Sequence, residues 1–433
     1  MFRCVSRFGA DHYSFLGRST GAGALSAWTH NLKSTEHLNW SDQHYKGPAL
    51  KIGAGVQGFE AIDAAADQGL VVVGGYCPTV GLAGGYIQGA GHSPLGTKFG
   101  MAADQTLEFE VVTTAGDIVI ASRNANPDLY WALSGGGPGT YGIVTAVTIR
   151  AYPDVPIGGA KVFIFDFSTV SSDAYWNALT SLYSQFPAWV DAGLHATLSY
   201  NSTLFYMDEV TGYNMTSQEV KAILEPWTSV LDNLSIPYIS SYSDHASYRD
   251  HWLDSSTDGP VGTFWQTGGR LVPRETLEHP QSLATYIAAL RHMTDQGMFL
   301  AETVVAPTSK TGAPNAVLPA WRNNVALHAT LQPWDFSPTD AAWAQMQAEQ
   351  REGTYDFDPS IDRAVPGTGN YMNEADPFRP DWKEAFFGEN YDALLSIKDK
   401  WDPDGILYGR ETVGGDRWTV SGNGRTCRVS NWS

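Results

Sequence analysis

A glycine-rich segment with a single cysteine, residues 74–100, constrains the fold more than any other part of the chain. It follows the apolar run Leu70–Val73 and has Cys77 and Pro78 among glycines at positions 74, 75, 81, 84, 85, 89 and 91. Glycine lets the backbone take positive φ angles and leaves its N–H groups accessible to a flat or anionic ligand. The segment therefore predicts either a loop shaped around a ligand or an Ω-like surface loop with a buried cysteine.

Composition and charge exclude several classes of protein. The chain has 433 residues, of which 43% are hydrophobic, enough for the cores of two or three domains. Its apolar runs are too short for a membrane span. The formal charge of −19, from 46 acidic and 27 basic residues, argues against nucleic acid or an anionic membrane surface as a partner. The composition is that of a globular protein, and the charge serves only to exclude these partners.

Sequons and cysteines bear on the compartment in which the protein works. Five Asn-x-Ser/Thr sequons favour a secreted glycoprotein, at Asn39, Asn201, Asn214, Asn233 and Asn431. The N-terminus shows no apolar core of a signal peptide. The three cysteines cannot all pair within the chain, so at least one is a thiol or is bonded to another group.

The first 155 residues read as an α+β unit. Hydrophobic periodicity and turn residues predict the strands Ala49–Ala54 and Ile143–Ile149, the helices Glu60–Ala66 and Asp128–Leu133, and a hairpin of Leu107–Thr114 with Ile118–Ser122. Gly137–Gly142 matches the dinucleotide fingerprint G-x-G-x-x-G, but a helix precedes it and a strand follows. That order is the reverse of the one that phosphate binding needs, so we reject a Rossmann fold.

Residues 156–365 read as a sheet with helices on one face. Four runs are strand-like and four stretches are amphipathic: Lys161–Phe165, Ala196–Tyr200, Thr263–Gln266 and Met298–Val304, and then 173–185, 217–231, 282–294 and 338–350. The segment Asp356–Asn370, rich in Pro, Asp and Gly, predicts a linker.

Several segments together resemble one family. Cys77-Pro-Thr-Val-Gly81 with Gly84-Gly85 and Gly89-x-Gly91 resembles the flavin loop of berberine-bridge-like oxidases, in the vanillyl-alcohol-oxidase superfamily. The segments 51–60 and 127–144 also look like family segments, and Tyr371–Asp376, Phe387–Tyr391 and Leu394–Asp404 resemble its C-terminal module.

The resemblance implies an α+β fold in three parts. Residues 1–155 would form a PCMH-type FAD-binding domain, and residues 156–365 an α/β substrate domain whose sheet is covered by helices. Residues 366–433 would return to the FAD domain. FAD is the implied cofactor, and no His, Cys or carboxylate cluster has the spacing of a metal site.

The resemblance also assigns site residues. It makes Cys77 the thiol that bonds the isoalloxazine ring, and it places Gly81, Gly84, Gly85, Gly89, Gly91, His92, Gly142, Ile143 and Asn373 around the flavin. The family's second anchor is a histidine. Here rigid alignment puts Tyr13 at its position and His12 one residue away, so His12 fits only with a bulge.

Tyr371 is the candidate base, because a phenol with a lowered pKa accepts a proton. Each polar candidate has a plainer alternative: Tyr371 as a packing tyrosine, His92 as a histidine satisfied by backbone, and Asn373 as an ordinary loop residue.

These observations predict a secreted FAD-dependent oxidase. It would act on an alcohol, a carbohydrate or a secondary-metabolite intermediate, with molecular oxygen as acceptor. The disturbed histidine anchor and the lack of the family's first strand–helix–strand subdomain lead us to expect that residues 1–14 are a mis-joined start of a longer product. Two alternatives stay open: an inactive paralogue that keeps the fold as a binding protein, and a carbohydrate-binding module suggested by the 53 aromatic residues and the sequons.

Overall fold

The computed structural model of the protein describes residues 4–7, 24–164, 167, 170–256, 265–308, 311–333, 335, 337–422 and 425–429. Within these ranges the chain forms two large antiparallel sheets, each with its own buried core. A smaller apolar cluster, which includes Ala90, Trp321 and Tyr371, joins residues of both units. His12 and Tyr13 lie outside the described residues.

The first unit is built around a five-stranded sheet. Its strands and helices are β1 (Cys4–Arg7), β2 (Leu25–Trp28), β3 (Thr35–Ser41), β4 (Lys46–Gly53), α1 (Gly58–Ala66), β5 (Leu70–Val71), α2 (Gly96–Phe99), β6 (Thr106–Val112), β7 (Ile118–Ser122), α3 (Pro127–Leu133), β8 (Ile143–Arg150) and β9 (Tyr152–Pro153). The sheet order is β3-β4-β8-β6-β7, and β1–β2 and β5–β9 form two small pairs. The predicted hairpin is confirmed, and Gly116 supplies its turn at φ 89°. Because α3 precedes Gly137–Gly142 and β8 follows, the rejection of a Rossmann fold is confirmed as well.

The second unit is a seven-stranded sheet with helices. Its elements are β10 (Ile157–Ile164), α4 (Ser172–Ala192), β11 (Leu194–Tyr200), β12 (Phe205–Tyr213), α5 (Ser217–Asn233), β13 (Ile239–His245), α6 (Tyr248–Ser255), β14 (Trp265–Pro273), α7 (Arg274–Glu278), α8 (Pro280–Asp295), β15 (Phe299–Val304), β16 (Asn324–Pro333), α9 (Asp340–Glu352) and α10 (Asp358–Ala364). The sheet order is β13-β10-β12-β11-β15-β16-β14.

The two faces of this second sheet differ in chemistry. Ala196, Leu198 and Tyr200 of β11 belong to the buried core with α4, α5 and α8. Successive side chains of a strand point to opposite faces, so His195 and Thr197 of the same strand lie on the other face. The α+β class and the helix-covered sheet expected from the sequence are therefore confirmed.

The C-terminal residues pack on the first unit. They form α11 (Trp382–Phe387), α12 (Tyr391–Trp401), β17 (Trp418–Val420) and β18 (Thr426–Arg428). Lys400 Nζ lies 2.6 Å from Asp128 Oδ2, and Thr114 Oγ1 donates to the carbonyl of Trp401 at 3.0 Å. The last turn of α12 thus lies against α3 and the β6–β7 turn.

The linker expected at Asp356–Asn370 is wrong over its first half. Residues 353–357 form a π-helical turn that continues into α10. Phe357 and Ile361 are buried in the core of the second sheet, and this burial stabilises a helix that the Pro and Asp content disfavours. Pro359 is the second residue of α10 and follows the π-helical turn almost directly. The domain boundaries near 155 and 365 stay a prediction.

A buried ion pair joins residues 311–322 to the first unit. Arg322 donates from both terminal nitrogens to the fully buried carboxylate of Asp104, at 2.8 and 2.9 Å. Asn315 Nδ2 and the Met101 N–H also donate to this carboxylate, at 2.6 and 2.8 Å. Because all these donors satisfy one buried charge, loss of the guanidinium leaves that charge under-compensated.

We therefore expect Arg322→Ala to lower the free energy of unfolding by roughly 2–4 kcal/mol, since removal of one partner of a buried pair is strongly destabilising. Denaturation by urea at a fixed flavin content measures the change. Arg274→Ala is the matched control, because Arg274 makes a similar two-nitrogen contact with Asp191 at an exposed position. That control should cost about 1 kcal/mol or less. Equal losses in the two variants would contradict the prediction.

Candidate active site

The predicted flavin loop begins directly after strand β5 of the first unit. Val72 and Val73 are buried, and Gly74 and Gly75 lead into Cys77, which is 6% exposed. Cys77 and Cys427 are both thiols rather than halves of a disulfide in the described part of the chain. Helix α6 fixes the loop from the side of the second unit, because Trp252 Nε1 donates to the Gly75 carbonyl at 3.1 Å and the Tyr76 hydroxyl donates to the Ser255 carbonyl.

The predicted glycines form a compact, buried turn after Cys77. Residues 82–86 form a tight turn that breaks at Gly84, whose φ of −91° and ψ of −125° are not helical. Gly81, Gly84, Gly85, Gly89 and Gly91 are all buried. Gly91 has φ 69°, and its neighbour Ala90 has φ 93°, a conformation that costs energy for a residue with a side chain. The surrounding packing holds the backbone in this shape.

Asn373 connects the C-terminal segment to this turn. Its Nδ2 donates to the Gly85 carbonyl and to the Tyr371 hydroxyl, each at 2.9 Å. A methyl group added at Gly89 would collide with the Asn373 amide and would lie 2.6 Å from the Gly85 oxygen. Glycine is therefore required at position 89 for the contact.

His92 and Tyr371 lie together, as the sequence predicted for one site. The ring centroids of the two side chains are 5.2 Å apart in an edge-on arrangement, and Trp321 stacks near His92 at 6.5 Å. His92 Nε2 lies 3.1 Å from Glu374 Oε1, and both side chains are mostly buried. The idea that backbone groups alone satisfy His92 is wrong, because a carboxylate faces its ring.

The lowered pKa expected for Tyr371 is wrong. The side chain is 1% exposed, and burial followed by the negative charge of Glu374 raises the pKa of its phenol well above the ordinary value; only the Asn373 amide acts in the opposite direction. The role of Tyr371 as base stays a prediction. A phenol in this environment is a hydrogen-bonding group rather than a ready proton acceptor.

Gly142 and Ile143 lie at the start of β8, and packing explains the glycine. A methyl group at Gly142 would lie 2.5 Å from Val111 Cγ1 on β6. The preceding turn reaches the glycine-rich segment, because the Gly137 N–H donates to the Gln88 carbonyl at 2.8 Å. A contact of Gly142 or Ile143 with the cofactor stays a prediction.

The contribution of the second unit was not expected from the sequence. Neither strand β12 nor helix α6 was predicted, although α6 contacts the Cys77 loop through Trp252. A signal for β12 was present in Asp208-Glu209, two consecutive acids inside a strand of apolar and β-branched residues. Such a pair interrupts the alternation expected of a regular strand.

Two further observations concern the described residues. They contain no group of three or more His, Cys, Asp and Glu side chains arranged to hold a metal ion. Among them, no helix is both long enough and apolar enough to cross a membrane.

Comparison with known proteins identifies the family. Residues 8–122 match the family model described as FAD binding domain, and residues 370–411 match the model described as Berberine and berberine like. The chain is 40% identical over 423 residues to the FAD-linked oxidoreductase ZEB1 of Gibberella zeae, covering 96% of this chain and 73% of that protein. It is 38% identical over 424 residues to the VAO-type flavoprotein oxidase VAO615 of Thermothelomyces thermophilus, again covering 96% and 73%.

A solved structure agrees with these sequence matches. The VAO-type flavoprotein MtVAO615 from Myceliophthora thermophila C1 superposes with a TM-score of 0.92 at 36% identity, covering 99% of this chain and 78% of that one. The chain therefore belongs to the berberine-bridge-like FAD-linked oxidoreductases of the vanillyl-alcohol-oxidase superfamily. It is an oxidoreductase whose cofactor is FAD, as the sequence predicted.

The residues at the site fit FAD. A buried thiol, a glycine-rich backbone without side chains and a strained residue at Ala90 meet in one cradle, which the C-terminal segment closes through Asn373. Bare backbone N–H groups suit the polar edge of a flat ring system.

The Asn373 amide fits against residue 89 only if residue 89 has no side chain. We therefore expect Gly89→Ala to weaken flavin retention and to lower the melting temperature of the flavin-loaded protein. Flavin content per chain after gel filtration, together with thermal unfolding, measures both effects. Gly74→Ala is the matched control, because a methyl group there would meet only Ile62 at 3.6 Å, an ordinary contact. Full flavin content in Gly89→Ala, or equal loss in the control, would contradict the prediction.

Proposed function

We propose that this protein oxidises a hydroxyl group of an alcohol, a carbohydrate or a secondary-metabolite intermediate, with FAD bonded to Cys77 and with molecular oxygen as the final acceptor. The observation that carries the proposal is the buried Cys77 thiol in a glycine-rich segment whose His92 contacts Glu374 and Tyr371. The family membership supports flavin chemistry, and the similarity to VAO615, a VAO-type flavoprotein oxidase, supports oxygen as acceptor.

Bound FAD would act as the two-electron acceptor in such a reaction. The protein would then bind and orient the ring and the substrate. Cys77 would hold the ring, and the buried packing of Trp321 and Tyr371 would exclude water from it. The amide of Asn373 would orient the Tyr371 hydroxyl toward a bound molecule.

An inactive paralogue that uses the same fold for binding is the second candidate. The disturbed histidine anchor favours this alternative, because it removes one covalent link of the family pattern. The intact Cys77 loop and its contact with the C-terminal segment oppose it. The presence or absence of bonded flavin separates the two functions.

We expect the protein to keep flavin on a peptide containing Cys77 after denaturation in acid, and Cys77→Ala to abolish that modified peptide. Peptide mass spectrometry and the visible absorbance of the acid pellet measure the bond. Cys427→Ala is the control, because this second thiol is exposed and lies outside the site. Flavin that acid extracts completely from the unsubstituted protein would refute the covalent bond.

We also propose that the protein is secreted and glycosylated. Three of its sequon asparagines, Asn39, Asn214 and Asn233, are exposed, as a glycan requires. Expression through the secretory pathway of a fungal host should give a protein that loses mass on enzymatic removal of N-glycans. Asn214→Gln and Asn233→Gln should each remove one glycan. An unchanged mass after that treatment would contradict the proposal.

A further inference from the structure

A patch of polar side chains lies on the face of the second sheet opposite helices α4, α5 and α8. We call it the β12 polar patch and define it by Asp208 and Glu209 of β12, His195 and Thr197 of β11, and Thr211 of β12. His251 of α6 covers it, with its Nε2 2.8 Å from Thr211 Oγ1. His195, Glu209, Thr211 and His251 are all buried. Burial of polar groups costs free energy unless hydrogen bonds compensate for the lost water.

A β-bulge creates the patch. On β11, Thr197 pairs with Glu209 while the next residue, Leu198, pairs with Met207, so Asp208 has no partner there. The pairing of β12 with β10 is irregular at the same place. Two consecutive acids of a regular strand would point to opposite faces, whereas a bulge re-aims them. Bulges of this kind are common next to active sites.

Glu209 is held firmly in the patch. Thr211 Oγ1 donates to its Oε1 at 3.3 Å, and Thr197 Oγ1 donates to its Oε2 at 3.4 Å. His195 Nε2 lies 3.7 Å from the same Oε2, in a pair with almost no exposure to solvent. Both carboxylate oxygens of Glu209 are therefore occupied by neighbouring side chains.

Asp208 differs from Glu209 because one of its oxygens is available. Its Oδ1 is buried and has no hydrogen-bond partner among the described residues, and the same is true of His195 Nδ1, on a side chain that is 2% exposed. Burial, followed by the negative charge of Glu209, raises the pKa of Asp208 to about 6. The other charged or titratable groups around it are Lys161 on β10, Tyr206 on β12 and Tyr76 in the Cys77 loop.

The patch lies beside the flavin loop. After burial, the negative charges of Glu209 and Asp208 are the largest causes that raise the pKa of Tyr76, the residue immediately before Cys77. Tyr248 of α6 is fully buried, and burial followed by the charges of Glu209 and Tyr86 raises the pKa of its phenol. Helix α6 joins the two regions, because its His251 contacts Thr211 of the patch and its Trp252 donates to the carbonyl of Gly75, two residues before Cys77.

We propose that Asp208 accepts the proton of the substrate hydroxyl, and that Glu209, held by His195, Thr197 and Thr211, positions it. The proposal rests on the proposed oxidation of a hydroxyl group. The O–H bond breaks with its proton going to Asp208 Oδ1. The C–H bond breaks with its electron pair leaving as hydride to the oxidised flavin that the family's activity supplies, and the C–O bond becomes C=O. Tyr371, whose phenol holds its proton tightly, then serves to hydrogen-bond the substrate oxygen.

The ionisation of Asp208 is testable without activity. A carboxyl whose pKa rises from 3.8 to about 6 on folding lowers stability as pH rises through that range. Asp208→Asn removes this titration, so the variant should melt above the parent protein at a pH well above 6, and the gain should disappear below 3.8. Asp117→Asn, on the exposed β6–β7 turn, is the control for the Asp-to-Asn change itself. A melting-temperature difference between Asp208→Asn and the parent protein that does not change with pH would contradict the raised pKa of Asp208.

The proton transfer is tested by the pH dependence of kcat/KM in the flavin-loaded protein, with a panel of alcohols and oligosaccharides. Asp208→Asn should lower kcat by about 10²–10⁴-fold, with the flavin spectrum unchanged. It should also abolish the acid limb, which is the fall of kcat/KM towards low pH as the base is protonated. Glu209→Gln should shift the acid limb to lower pH, because it removes the neighbouring charge, an effect that a purely structural role would not give.

Each outcome of these kinetic measurements decides the proposal. Tyr371→Phe should slow the reaction and keep the acid limb. An acid limb that survives in Asp208→Asn, or that disappears in Tyr371→Phe, would overturn the assignment of Asp208. A flavin-loaded protein that oxidises no hydroxyl compound of the panel would refute the proposed function itself, and the proton-acceptor role would fall with it.

Discussion

The contact of Asn373 with the glycine-rich turn is the constraint on which the rest of the site depends. It joins residues that are 288 positions apart, Gly85 and Asn373, and it is possible only because Gly89 has no side chain. The contact fixes the C-terminal segment, which in turn places the Tyr371 ring against His92 and the Glu374 carboxylate against the histidine nitrogen. This hydrogen bond thus fixes the segment that carries Tyr371 and Glu374.

Local sequence signals predicted the parts of this arrangement that depend on local geometry. The hairpin around Gly116 and the glycine-rich turn follow from backbone freedom, and the rejection of a dinucleotide fold follows from the order of α3 and β8. The linker prediction failed at α10, because burial of Phe357 and Ile361 outweighs the low helix propensity of their neighbours. The electrostatics of Tyr371 also escaped prediction. Its pKa depends on burial and on Glu374, and a sequence motif does not report how deeply a phenol is buried.

The second sheet carries buried carboxylates on both of its faces. On the helix side, Glu302 Oε1 accepts from Tyr183 at 2.8 Å and from Tyr286 at 3.2 Å, and it lies 2.7 Å from His328 Nδ1. This carboxylate is enclosed by α4 and α8 and stabilises a tightly packed interior. On the opposite face lies Asp208, and each of the two side chains keeps one buried oxygen without a donor, Oδ1 of Asp208 and Oε2 of Glu302.

The difference between these two carboxylates comes from backbone geometry. Glu302 lies on the regular strand β15, where alternation directs its side chain into the helical layer, and Leu198 is its partner across the sheet. Asp208 lies on a bulge, which interrupts the ladder and turns the side chain away from that layer. A regular β12 would direct one of the two acids into the apolar core, where its charge would be costly. The bulge instead places both acids on the face opposite the helical layer, as the proposed role of Asp208 requires.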